Sequence, residues 1–116
     1  MPVHAAKIDT GNAAYDAVFE TLYSGSFDEK EKALNDLMQT DIKDKKKILE
    51  GIVNKTLMVH KKSKKVVWVE KQGSKFQMTD AFSGEDLGVD KKRKFKKFSI
   101  NNSLRSHVSA LISTMD

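Results

Sequence analysis

The spacing of apolar residues predicts three helices in the first half of the chain. In NAAYDAVFETLYSG the apolar positions recur three and four residues apart, which is typical of one buried helix face. Asn12 is placed to cap the N-terminus of this helix, and Gly25 to end it with a positive φ. The predicted buried face consists of Tyr15, Val18, Phe19, Leu22 and Tyr23.

The next two helices are predicted from caps and apolar stripes. Ser26 and Glu29 form a capping-box pattern, in which each side chain binds a free backbone N–H of the other residue. A third helix is predicted to begin at Thr40 or Asp41, and Gly51 lowers its intrinsic stability by about 1 kcal/mol relative to Ala. The stripes comprise Ala33, Leu34, Leu37 and Met38 in the second helix, and Ile42, Leu49, Ile52 and Val53 in the third.

The pattern then changes to short segments rich in Val, Phe, Trp and Thr. Alternation and β-branched content predict strands at 57–60, 66–71 and 75–79, and the separators KKSK and QGS predict hairpin turns. We expect an antiparallel meander. Trp68 is expected to anchor the sheet to the helices, since a buried Trp more often packs than carries a function.

The last third predicts a loop, a basic run and a final helix. TDAFSGEDLGVD is rich in turn residues and predicts an ordered loop with room for one more short pairing. The basic run DKKRKFKKF follows, and then SINN, an N-cap sequence. The last helix should bury Leu104, Val108, Leu111, Ile112 and Met115.

These elements predict one α+β domain with three short N-terminal helices, a small antiparallel β-meander and a C-terminal helix. The domain is assigned to residues 12–116 of the 116-residue chain, after a disordered stub over 1–11. In the stub, VHA has the small-x-Ala form of a signal-peptidase site, which either remains from a cleaved leader or arises by chance. The sequence contains no run of about 18 apolar residues, so we expect no membrane insertion of this segment.

Charge is distributed unevenly along the chain. Residues 1–38 hold three basic and seven acidic residues, and the remainder holds eighteen basic and nine acidic ones. This split indicates either an anionic partner for the basic part or two oppositely charged faces that keep the domain soluble. The absence of cysteine excludes disulfides, thiolate metal sites and Cys nucleophiles.

Catalytic and metal-binding motifs are weak. A GxSxG turn, a P-loop and a dinucleotide fingerprint are all lacking, so we expect a non-enzymatic protein without a cofactor. The loop carboxylates could bind a cation, but they lack the spacing of a calcium loop. The candidate metal ligands are the dispersed His4, His60 and His107, and the acidic group Asp80, Glu85, Asp86 and Asp90.

The basic run has two interpretations. Its six cations could neutralise phosphates, with a steep salt dependence, while Phe95 and Phe98 stack on bases. Alternatively, Phe95, Phe98 and Ile100 form the buried side of an extended segment, and the lysines between them face water. The sequence lacks an RRM, KH or helix-turn-helix signature, which favours the second interpretation.

Two motifs in the second half resemble a known family. TDAFSGEDLG and INNSLR match the patterns TDA-x-(T/S)-G-E-x-L-G and (V/I)-N-N-x-L-R of the N-terminal extracytoplasmic region of urea-type ABC transporter permeases, relatives of the branched-chain amino-acid permeases. A variable charged stretch separates the two motifs in that family. SFDEK also resembles the family's F-(D/E)-E-K start of a short helix, and the resemblance runs from about residue 14 to residue 113.

The resemblance implies a docking domain outside the membrane, with the permease or a solute-binding protein as partner. It leaves open whether the chain is an excised domain or a complete protein. The alternative function is a free-standing, cytoplasmic protein of the same fold that binds nucleic acid or another polyanion through residues 91–97. An exposed sheet edge could also pair two copies of the chain. The candidate partner-binding residues are Asp80, Ser83, Gly84, Glu85, Asp86, Lys91, Lys92, Arg93, Lys94, Lys96, Lys97 and Arg105.

Overall fold

The computed structural model describes residues 7–115 and confirms the α+β fold. Within this range, five antiparallel strands form one sheet in the order β4-β3-β2-β1-β5, and four helices pack on one of its faces. The helices are α1 (Ala13–Ser24), α2 (Phe27–Met38), α3 (Lys45–Asn54) and α4 (Asn102–Ser113). The strands are β1 (Leu57–His60), β2 (Lys65–Gln72), β3 (Lys75–Asp80), β4 (Asp86–Lys91) and β5 (Phe95–Lys97), and a 3-10 turn, Lys92–Lys94, joins the last two.

The helix caps confirm most of the predicted boundaries. The Asn12 side chain accepts hydrogen bonds from the first turn of α1, and the capping box of Ser26 and Glu29 is present in full. Gly25 differs from the prediction, because its φ is −77° rather than positive. A Cβ there would lie 2.7 Å from the carbonyl oxygen of Thr21, so close backbone approach explains the glycine.

Helix α3 begins later than predicted, at Lys45 rather than at residues 40 or 41. The Thr40 hydroxyl donates to the carbonyl of Leu37, which terminates α2 in a turn. Ile42 is buried in the connection between the two helices, outside either of them. Because Ile42 was counted in the apolar stripe of α3, the predicted helix began about one turn too early.

The main core lies between the helices and one face of the sheet. Phe19, Leu34 and Leu49 are fully buried there together with Leu57 and Val59 of β1, and Trp68 packs against the same cluster. Trp68 also lies against Gly51 of α3, where a Cβ would come within 2.5 Å of its ring. The predicted anchoring role of Trp68 is confirmed.

The stub prediction is wrong for residues 7–11. Ile8 is 2% exposed and belongs to the main core. Its N–H donates to the Glu20 carboxylate, and the N–H of Asp9 donates to the carbonyl of Lys64. The remaining residues of the predicted stub, 1–6, lie outside the described part of the chain.

The opposite face of the sheet encloses a second, smaller apolar cluster. Val67, Met78 and Phe95 are its buried members. Phe76 of β3 lies 5.4 Å, between ring centroids, from Phe95 of β5, although β1 and β2 separate these strands in the sheet. The sheet is therefore strongly curled, as in an incomplete barrel, and the 3-10 turn joins its two edge strands.

Candidate binding surface on the loop and the basic segment

The loop between β3 and β4 is built around Asp80. Its side chain is buried, and one carboxylate oxygen accepts the N–H groups of Phe82 and Ser83 at 2.9 and 3.0 Å. The N–H of Gly84 donates to the Asp80 carbonyl, and Gly84 has a φ of +78°, which favours glycine. Asp80 and Gly84 therefore shape the loop and are poorly placed to contact a partner.

Two other polar side chains, those of Ser83 and Asp86, also bind the backbone of this segment. The Ser83 hydroxyl accepts the N–H of Glu85, and Asp86 accepts the N–H of Gly88. The Phe82 ring packs against α1, with its centroid 5.4 Å from that of Phe19. This anchors the loop on the helical side of the domain and leaves the Glu85 side chain exposed.

The loop and the basic segment do not form one contiguous surface. The loop precedes β4 and the basic segment begins at its last residue. The strand has six residues, which span about 17 Å at roughly 3.3 Å per residue. The candidate partner-binding residues within 80–97 are therefore divided between two separate patches.

The basic turn, which we define as residues 91–94, projects four cations from an ordered backbone. All four side chains are exposed. The Lys94 carbonyl accepts the N–H of Lys61 at 2.8 Å, and the next residue, Phe95, is buried. Within residues 7–115, none of these four cations lies within 4.0 Å of a carboxylate oxygen. The turn thus presents four cations without a close ion pair, although the charges of Asp90 and Lys94 attract each other and Lys92 lies 5.5 Å from the ring centroid of Phe76.

The two lysines of β5 point away from each other, because side chains alternate along a strand. The Lys96 ammonium lies 5.1 Å from the ring centroid of Tyr23, and Lys64 lies 5.3 Å from the same centroid. Lys97 instead lines a cavity together with Lys55 and with Arg105, which lies in the first turn of α4. The six cations of the basic run therefore do not form one stripe.

The aromatic residues of the run are part of the protein interior. Phe95 is 7% exposed and Phe98 is 1% exposed. Both rings are buried, as predicted, but not on one side of the segment: Phe95 lies in the smaller cluster and Phe98 in the main core, on the opposite face of the sheet, and Ile100 is half-buried. Their burial also removes the two rings as stacking platforms for nucleotide bases.

One array of chemically active side chains was missed by the sequence analysis. The Ser63 hydroxyl lies 2.8 Å from Nδ1 of His60, and Asp90 Oδ2 lies 2.8 Å from Nε2 of the same ring. The hydrogen bond from His60 and the backbone N–H of Lys91 lower the pKa of Asp90 below its usual value. The spacing HxxS across a hairpin turn was the available signal, but Asp90 is distant in sequence.

This array resembles the serine, base and acid arrangement of hydrolases, but its placement favours a structural role. His60 is buried against the ring of Phe95, at 5.2 Å between centroids. Asp90 lies on β4 and His60 on β1, two strands that are not neighbours in the sheet. Their contact therefore fastens the curled sheet across its open side.

The described part of the chain assembles no metal site and no membrane span. Within residues 7–115, no three His, Asp or Glu side chains converge as metal ligands. No helix in that range has the length and apolar character needed to cross a bilayer. Comparison with family models, curated proteins and solved structures found no match to this chain.

Proposed function

We propose that this chain is a non-enzymatic docking domain that binds an acidic surface of a partner protein through the basic turn. The observation that carries the proposal is the set of four adjacent, exposed cations without an ion-pair partner within residues 7–115. Charges of this kind steer association with an oppositely charged surface and raise its rate at low salt.

The ordered backbone of the turn supports this proposal. Phe95, which follows the turn, is buried. The backbone N–H of Lys61 donates a hydrogen bond to the Lys94 carbonyl within the turn. Binding by a preformed segment loses less conformational entropy than binding by a mobile one. The turn therefore presents its charges at a small cost in ordering.

The resemblance to urea-type permeases supplies the proposed partner class. In that family the region lies outside the membrane, so the permease and its solute-binding protein are the proteins to test. We extend this setting to the chain as a proposal, with an extracytoplasmic location. The loop over 80–88 would then act mainly as scaffold, since the carboxylates of Asp80 and Asp86 accept backbone N–H groups of the same segment.

Polyanion binding is the competing function, and the burial of the aromatic residues weakens it. With Phe95 and Phe98 in the interior, a nucleic acid would make phosphate contacts alone. The cations of the run also face several directions, so a single strand could not contact all of them.

The test compares two charge-reversal variants with the same change in net charge. The first carries Lys92→Glu and Arg93→Glu in the basic turn. The control carries Lys43→Glu and Lys71→Glu. Both positions are exposed; Lys43 lies in the connection between α2 and α3, and Lys71 lies on β2. Binding to a purified urea-type solute-binding protein and to its permease is measured by biolayer interferometry at several salt concentrations.

We expect the turn variant to weaken binding to one of these proteins by about tenfold or more, or about 1.4 kcal/mol, and the control by less than about twofold. Equal loss in both variants, or no binding by the wild type, would refute docking through the turn. A duplex DNA arm tests the competing function. Tighter binding to DNA than to either protein, with a log–log salt slope of about −0.9 per phosphate contact, would replace the proposal.

A further inference from the structure

A second group of cations meets at the far end of β5 from the basic turn. Lys55 follows α3 in a left-handed conformation with a φ of 64°, Lys97 ends β5, and Arg105 lies in the first turn of α4. These three side chains line a cavity of about 200 Å³ together with Phe98, Ser99 and Ile100. We call this group the cation cluster.

The members of the cation cluster repel one another. The pKa of Lys55 is lowered, first by the charge of Lys97 and by its side-chain contact with Lys97, and further by desolvation and by Arg105. Within residues 7–115, no carboxylate oxygen lies within 4.0 Å of any of the three cations. Three positive charges thus surround one cavity without an acidic partner from the described chain.

The backbone holds these charges together in spite of their repulsion. Phe98, next to Lys97, is almost fully buried, and Leu104, next to Arg105, is buried as well. Lys55 occupies a position whose positive φ favours glycine or asparagine, yet it carries a long cation. Strain and repulsion at one place are typical of a functional site and are offset there by ligand binding.

We propose that the cation cluster binds a phosphate group, either inorganic phosphate or a phosphate monoester. A phosphate carries about −1.5 to −2 charges at neutral pH, so it can satisfy more of the three cations than a single carboxylate can. Arg105 can bind two of its oxygens at once, and the lysines add point charges. The site lies apart from the basic turn and stands whether or not the turn docks a protein.

The first experiment titrates the ¹⁵N-labelled chain with inorganic phosphate, O-phosphoserine and acetate at constant ionic strength. The reporters are the backbone amides of Ser99, Ile100 and Arg105, which line the cavity. We expect saturable shifts with phosphate, with a Kd of about 1 mM, and a Kd at least about tenfold higher with acetate. Tighter binding of phosphoserine would indicate a phosphorylated ligand, and tighter binding of inorganic phosphate would indicate the free ion; both support the site.

Substitutions then locate the binding. Lys97→Gln and Arg105→Gln should each raise the Kd for phosphate by about tenfold. Lys96→Gln is the matched control, because this neighbour lies against Tyr23 instead. Shifts that do not saturate, equal binding of acetate, or equal losses in all three variants would overturn the proposal.

Thermal unfolding gives a second readout that does not depend on a binding signal. Without phosphate, Lys97→Gln should raise the unfolding midpoint by about 2 °C or more, because it removes like-charge repulsion. Phosphate should raise the midpoint of the wild type and leave that of the variant almost unchanged. A lower midpoint for the variant in the absence of phosphate would contradict the proposed repulsion.

Discussion

Replacement of Gly51 by alanine tests how closely α3 packs on the sheet. In a solvent-exposed helix this substitution stabilises a protein by about 1 kcal/mol. In this domain the new Cβ would lie 2.5 Å from Cζ3 of Trp68 and 3.0 Å from Cβ of Leu57. Both distances are far below van der Waals contact, so either the helix or the Trp68 ring must move.

The expected change in stability combines these two effects. Overpacking of a well-packed site costs about 1–3 kcal/mol, and the gain in helix propensity offsets about 1 kcal/mol of it. We therefore expect Gly51→Ala to lower the free energy of unfolding by about 0–2 kcal/mol, instead of raising it by about 1 kcal/mol. Removal of the ring in Trp68→Leu should relieve the shorter contact and leave the one to Leu57, so that Gly51→Ala should be less destabilising in that background.

The assay is urea denaturation followed by circular dichroism in all four members of this double-mutant cycle. Ser109→Ala, at an exposed position within α4, is the control and should raise stability by about 0.5 kcal/mol. A stabilising effect of Gly51→Ala in the wild-type background would refute the close contact. A coupling energy near zero would show that Trp68 is not the obstacle.

Three further substitutions test other parts of the account by urea or thermal denaturation. Phe98→Ala should lower the free energy of unfolding by about 3–5 kcal/mol, because the side chain is 1% exposed. The control Lys96→Ala, at an exposed position nearby, should lower it by less than about 0.5 kcal/mol. Similar losses in the two variants would contradict the burial of Phe98. Ser26→Ala should cost about 1 kcal/mol through loss of the capping box, and an unchanged midpoint would show that the cap contributes little. The pKa of Asp90 is lowered from 3.8 in the folded state, so its contribution to stability is present above about pH 4 and is lost as pH falls through the folded pKa. The difference in stability between wild type and Asp90→Asn should therefore shrink below pH 4, and a constant difference would contradict the hydrogen bond to His60.

Local signals predicted much of the secondary structure. The capping box at Ser26 and the N-cap at Asn101 act within one helical turn, so the sequence alone is sufficient to place those helix starts. The two hairpins depend on short turns between strands that pair with their neighbours. The strands at 57–60, 65–72 and 75–80 accordingly lie within one residue of their predictions.

The site depends on contacts between distant segments, which local signals do not report. The curl of the sheet brings His60 to Asp90 across two intervening strands. Sequence reasoning grouped Lys96 with Lys97 because they are adjacent, but strand alternation places them on different sides of β5. Lys55 was not singled out, because only the fold places it beside Lys97 and Arg105.

Burial of short segments was also hard to predict. Ile8 and Ile42 each reach the main core from outside a helix or strand, so they lack a periodic apolar neighbourhood. The strand β4 was predicted only as a loop with room for one more short pairing, because its sequence, DLGVDK, contains a glycine and three charged residues. Its partner β3 supplies the ladder that its own composition does not predict.

The most direct test of the docking proposal maps the bound surface by NMR. The ¹⁵N-labelled chain is titrated with an unlabelled urea-type solute-binding protein, and then with its permease in detergent. The proposal predicts that the largest amide shifts fall within residues 91–94 and in the adjoining turn at Lys61, and that added salt reduces them. Shifts confined to α1 and α2, or none with either protein, would contradict docking through the basic turn.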